Sequence, residues 1–255
     1  MDHQPTVFVF ENKDQISDFI VKKWHEISCE SIKRRGYFAV ALSGGKTPVE
    51  LYRRLAEAHE TLPWDQTHLF LVDERFLPLN DQDSNYGMLR ETLLTGISMP
   101  DENLHPIRTG TSDPMAAADQ YEQELISFFK LSPGEFPRFD LILLGIGEEG
   151  HTASLFPRSP ALNDCAHRVA AVILEDIRHH RVTLTLPVIN HGENVLFLVT
   201  GKNKSTILRR IIGREDPSLP ASRVNPRGGT LLFVIDREAS VELGKEMITE
   251  IMVRK

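Results

Sequence analysis

The segment from Phe139 to Pro157, FDLILLGIGEEGHTASLFP, constrains this chain more than any other. Leu141–Leu144 is a run of bulky apolar residues without polar alternation, and Gly145, Gly147 and Gly150 follow it. An apolar run bounded by glycine fits a strand covered on both faces, as in a parallel sheet. In open α/β sheets the ligand crevice lies beyond the carboxyl ends of such strands. Glu148, Glu149 and His151 therefore stand where a site is expected. Imidazole changes charge near neutral pH, and a carboxylate beside it can orient the ring and hold its proton. The competing reading is a solvated acidic turn that carries a surface histidine.

The rest of the chain repeats the pattern. Strands are predicted at Val7–Phe10, Tyr37–Leu42, Thr67–Val72, Leu141–Leu144, Val169–Leu174, Arg181–Leu186, Asn194–Thr200 and Leu231–Ile235. Ile16, Phe19, Ile20, Trp24 and Ile27 recur at helical spacing between Lys13 and about Arg35. Further helices are predicted from Pro48 to about Ala58, from a Ser84 cap to about Leu94, from an Asp113 cap and Pro114 to about Phe129, and from about Asn203 to Ile212. A last helix is expected at the chain's end. Strands alternating with helices predict an α/β fold: a mainly parallel β-sheet flanked by helices on both faces. The turn-rich stretches at 77–83 and 213–229 are too short for linkers, so residues 1–255 read as a single domain.

Composition narrows the partners. The net charge of −7 argues against a general nucleic-acid binder but leaves room for a local basic pocket. No apolar run approaches the ~20 residues that span a bilayer, so no membrane partner is expected. The start, from Met1 to Val7, lacks the basic and apolar regions of a signal peptide. Cys29 and Cys165 have no metal or redox spacing, which fits a reducing, cytoplasmic setting.

Several clusters carry chemistry. Ser43-Gly44-Gly45-Lys46-Thr47 joins a strand to a helix, where glycines let backbone N–H groups approach a phosphate and the helix N-terminus favours negative charge. A Walker-type loop would need glycine at Val40, so a nucleoside triphosphatase is not expected. Gly145–Gly150 matches the spacing of a dinucleotide fingerprint, with Glu175 and Asp176 downstream. Two acids inside that loop would repel a pyrophosphate, and Pro157 would cut the crossover helix short, so a nicotinamide-dependent oxidoreductase is set aside. Asp73-Glu74-Arg75 follows a strand toward the same crevice, where Arg75 could fork onto a phosphate or carboxylate. Lys202 and Lys204 open a helix, an unfavourable place for cations unless an anion compensates them. His179 and His180 read as surface residues, and Lys33-Arg34-Arg35 and Arg209-Arg210 as solvated helix ends. No spacing indicates a metal, and no Gly-x-Ser-x-Gly elbow is present, so an activated water is the expected nucleophile in a hydrolase.

Taken in order, these blocks resemble the 6-phosphogluconolactonase family. The matching segments are Leu42–Pro48, Val72–Arg75, Asp83-Ser84-Asn85-Tyr86 and Gly145–Pro157. Weaker matches lie at Arg181–Thr185, Gly201–Lys204 and Leu219–Ser222, and together they span about Ala39 to Asp236. The resemblance implies a fold shared with glucosamine-6-phosphate and ribose-5-phosphate isomerases. It implies hydrolysis of 6-phosphogluconolactone to 6-phosphogluconate in the oxidative pentose phosphate pathway, with no cofactor and no metal, by a monomer or small homo-oligomer whose partner is a small sugar-phosphate lactone. One departure stands out: the family usually has aspartate two residues before the histidine, where this chain has Glu149.

On this reading His151 is the general base, Glu149 and Asp73 position it or the sugar hydroxyls, and backbone N–H groups of the glycine turns meet the oxyanion. Ser43, Gly44, Gly45, Lys46 and Thr47 would hold the phosphate, with Arg75, Arg181 and Lys204 as candidate cations. The rival reactions are a sugar-phosphate isomerase or deaminase of the same fold and a non-catalytic sugar-phosphate sensor. The related hexosamine-phosphate enzymes carry a further acid where this chain has Leu155-Phe156-Pro157, and tend to have tyrosine at the position of Arg75.

Overall fold

A computed structural model describes residues 5–175 and 177–252. Residues 1–4, part of the start read for targeting signals, and Asp176, weighed for the dinucleotide fingerprint, lie outside the described residues. The strands are β1 (Thr6–Phe10), β2 (Phe38–Leu42), β3 (Thr67–Leu71), β4 (Asp73–Arg75), β5 (Leu104–His105), β6 (Leu141–Leu144), β7 (Val169–Val172), β8 (Arg181–Leu184), β9 (Asn194–Val199), β10 (Thr230–Asp236) and β11 (Glu250–Met252). The helices are α1 (Lys13–Arg35), α2 (Val49–Glu57), α3 (Asn85–Thr92), α4 (Pro114–Phe129), α5 (Leu186–Ile189) and α6 (Ser205–Ile212).

Eight strands form one sheet in the order β11-β1-β10-β9-β6-β2-β3-β5, and every pairing in it is parallel. Every residue of β2 and β6 is buried, so both faces of the sheet's centre are covered, as their unbroken apolar sequences require. From β2 the chain runs outward to β3 and β5, then returns to the other side of β2 as β6 and runs on to β9 and β10. The strand order thus reverses between β2 and β6, which is where ligand crevices form in such sheets.

Helix α1 follows its predicted bounds. Asn12 accepts from the Gln15 N–H at its start, and Gly36, with φ 86°, ends it. Ile16, Ile20 and Trp24 repeat every fourth residue and are buried, with Trp24 set edge-on against Phe38 of β2. The basic end of α1 is exposed at Lys33 and Arg34, as expected, but it is also ion-paired. Arg34 and Arg35 both pair with Asp140, which is fully buried and also accepts from Ser31 Oγ and the Ala39 N–H. A buried carboxylate needs such partners, and this network ties α1 to β2 and β6 at the sheet's amino end.

Two features depart from the sequence reading. The residues read as further strands at 169–174 and 181–186 do not join the main sheet; with Asp73–Arg75 they form a second, antiparallel sheet in the order β4-β8-β7. The described residues end on the short parallel strand β11, not on a helix. No described helix is long and apolar enough to cross a membrane.

Candidate active site

At the switch point a cavity of about 390 Å³ opens between the loops that leave β2 and β6. That volume lies in the range of small-molecule sites. The two loops are bonded at its base: Ser43 Oγ donates to the Leu143 carbonyl at 2.7 Å, and the buried Tyr52 hydroxyl donates to the Ser43 carbonyl at 2.5 Å. Burial, with Asp73 nearby, pushes the Tyr52 phenol well up, so it stays a donor. Ser43, Gly44, Gly45, Lys46 and Thr47 all line the cavity. Gly45 has φ 96°, a conformation that disfavours any side chain. No side chain caps the start of α2, so its first N–H groups stay available to an anion.

The loop after β6 folds into a tight turn rather than a helix. Thr152 Oγ1 donates back to the Gly145 carbonyl at 2.9 Å, and the Gly147 N–H donates to the His151 carbonyl at 2.8 Å. Gly150 and Ala153 both have positive φ, 78° and 50°. For alanine this is strained backbone of the kind that clusters at functional sites. The turn sets the His151 ring in the cavity wall, with its centroid 4.6 Å from that of Phe156. Glu149 Oε1 lies 3.2 Å from His151 Nδ1. The two groups are not aligned as a hydrogen bond, and Nδ1 is buried without a bonded partner. Glu149 is 53% exposed and, like Glu148, does not line the cavity.

Strand β4 sorts its three residues by the alternation of a pleated strand. Asp73 and Arg75 line the cavity. Glu74 points the other way and is fully buried. Its carboxylate accepts from the N–H groups of Arg75, Asn85 and Tyr86 and from Ser84 Oγ. Burial pushes its pKa up and those donors oppose the shift, so Glu74 secures the start of α3 rather than facing the crevice. Asp73 Oδ2 accepts from Ser154 Oγ at 2.6 Å.

Arg75 and Arg181 are direct register partners across β4 and β8, and both line the cavity. Like charges placed opposite each other are destabilising without a counter-ion. Burial first, then Arg75, pushes Arg181 below its ordinary value, and its Nε is buried without a partner. Arg178, paired with Asp83 at 2.9 Å, stands at the same wall. Lys204 closes the single turn before α6, and neither it nor Lys202 is among the residues that line the cavity. His179 is half-buried rather than a surface residue. Among the described residues no group of three or more His, Cys, Asp or Glu side chains is placed to hold a metal.

The sequence reading gave no role to Asn85, Ser154 or Gly147. Asn85 and Ser154 lie inside matched segments, but nothing in their spacing shows that both reach Asp73.

The family described as glucosamine-6-phosphate isomerases/6-phosphogluconolactonase matches residues 11–233. The chain belongs to this family. A 6-phosphogluconolactonase from Synechocystis sp. is 43% identical over 216 residues, covering 84% of this chain and 88% of that protein. The solved structure of a 6-phosphogluconolactonase from Trypanosoma cruzi superposes with a TM-score of 0.83 at 32% identity, over 95% of this chain and 98% of that one. A monomeric glucosamine-6-phosphate deaminase has a TM-score of 0.77 at 21% identity, over 93% of this chain and 99% of that one. That likeness shows a shared fold.

Proposed function

We propose that this chain is a 6-phosphogluconolactonase, hydrolysing 6-phospho-D-glucono-1,5-lactone to 6-phospho-D-gluconate in the oxidative pentose phosphate pathway. The observation that carries the site assignment is one cavity lined by two kinds of group. One is His151 with Asp73; the other is the Ser43–Thr47 loop with Arg75 and Arg181. The first suits acid–base chemistry, the second a phosphate.

The reaction follows from these groups. The phosphate is shared between Arg75 and Arg181 and meets the uncapped start of α2. His151 Nε2 accepts a proton as water attacks the lactone carbonyl. The oxyanion is met by backbone N–H groups of the glycine turns. As the bond from C1 to the ring oxygen breaks, His151 returns the proton to that oxygen. Water's other proton leaves with the new carboxyl group, so the equation is lactone plus water to acid. Glu149 stands beside Nδ1 and favours the charged imidazolium that forms midway. Leu155 and Phe156 occupy the positions where the resemblance places a further acid in the hexosamine-phosphate enzymes, which argues against deamination. The setting we propose is the cytoplasm.

The test is decay of freshly generated 6-phosphogluconolactone with and without the protein, after subtracting spontaneous opening. Acceleration that survives a chelator is the expected result. A rate equal to background in folded protein would leave a sugar-phosphate sensor in its place.

A further inference from the structure

Asn85 is the first residue of α3 and lines the cavity while only 2% exposed. Its backbone N–H is committed to Glu74. Its side-chain nitrogen donates to the Asp73 carbonyl at 2.8 Å and lies 3.4 Å from Asp73 Oδ1. Both of those groups can only accept, so they fix which end of the amide is nitrogen; a flipped amide would set oxygen against oxygen. Oδ1 therefore faces away from Asp73, and it is buried without a hydrogen-bond donor. A Cβ on Gly44 would come within 1.8 Å of this oxygen. The amide is thus wedged between Asp73 and the loop assigned to the phosphate. A buried acceptor without a donor costs stability, and bound ligand is what can complete this one.

The chemistry of the ligand selects the partner. On the lactone of the proposed reaction, the phosphate and the ring carbonyl are acceptors. Its donors are the hydroxyl groups on C2, C3 and C4. We infer that Asn85 Oδ1 accepts a hydrogen bond from one ring hydroxyl, making Asn85 a specificity residue that reads the sugar while its nitrogen holds Asp73. This rests on the lactonase reading.

The experiment compares kcat/KM for the parent lactone with its 2-deoxy, 3-deoxy and 4-deoxy counterparts, in the wild-type protein and in Asn85→Ala. In the wild type, one of the three deoxy lactones should be poorer than the parent by about tenfold. In Asn85→Ala the parent should fall, and that one deoxy lactone should show no further loss, while the other two keep their wild-type ratios. Equal ratios in the two proteins would overturn the inference and leave Asn85 as a support for Asp73 alone. So would a wild type that treats all four lactones alike, a result that needs no variant to fold. A wild type inert toward the parent lactone sinks the reaction assignment instead, so the two failures are distinct.

Discussion

The imidazole of His151 rests on the Cα of Gly147: a Cβ there would lie 2.1 Å from both Cε1 and Nδ1. No L side chain other than glycine leaves room for the ring in this position. Gly147→Ala should therefore push the histidine out of place while leaving the sheet untouched. We expect kcat to fall about 100-fold, the scale of a misplacement near 1 Å, with the thermal midpoint nearly unchanged. A variant with wild-type turnover would show that the ring's seat does not matter to the reaction.

His151→Ala should cost more, about 10²–10⁴-fold in kcat, the usual range for a lost general acid–base. Binding of 6-phosphogluconate, measured by calorimetry, should change little. Glu149 is half out in solvent and is not aligned with the ring, so Glu149→Gln should lower kcat by less than His151→Ala does. Glu149→Asp should retain more activity than Glu149→Gln, because it keeps the charge. A greater loss in Glu148→Gln than in Glu149→Gln would reassign the supporting carboxylate.

Arg181 presents a conflict between stability and binding. It faces Arg75 in register and its Nε is unpartnered. Arg181→Leu should raise, or at least not lower, the thermal midpoint of the ligand-free protein, since it removes one of two like charges opposed in register. It should weaken binding of 6-phosphogluconate about 10- to 100-fold, the scale of lost charge-assisted bonds. Non-phosphorylated gluconolactone should be a poor substrate for both proteins and nearly indifferent to the change. A lowered midpoint with unchanged ligand affinity would make Arg181 a structural residue.

What could be read in the sequence follows from which interactions are local. The parallel sheet showed itself because β2 and β6 are buried on both faces and so read as unbroken apolar runs. The caps at Asn12, Ser84 and Asp113 act within three residues of themselves, although Asn12 was not singled out. The antiparallel sheet was missed because β4 is three residues long and pairs with a strand more than a hundred positions later. Apolar character alone does not reveal direction of pairing. Arg34 and Arg35 read as a solvated end because their partner, Asp140, is equally distant. At the candidate site the loops after β2 and β6 were legible from glycine and histidine. The side chains that converge on Asp73 come from the start of α3 (Asn85) and from the loop after β6 (Ser154), and only the fold brings them together.

The final prediction concerns acid sensitivity away from the site. His105 Nδ1 lies 2.7 Å from Glu124 Oε1. A carboxylate only accepts, so that nitrogen carries the proton, and in the neutral ring Nε2 is left to accept from His68 Nδ1 at 3.1 Å. Phe70 stacks on His105 at 4.1 Å, and Phe128 lies 4.6 Å from His68. Burial first, then His105, lowers the His68 pKa to about 4, with Glu102 opposing. The unfolded chain, with an ordinary histidine pKa near 6.5, binds a proton that folded His68 refuses. Between about pH 6.5 and 4 the unfolded state thus holds more protons, and stability falls as pH falls through that window. Above it this group contributes no pH dependence. His68→Gln retains a polar group beside His105 but cannot take up that proton. The drop in thermal midpoint from pH 7.5 to 5 should therefore be smaller in His68→Gln than in the wild type. Equal drops would mean that His68 titrates alike in both states and that other groups set the acid response.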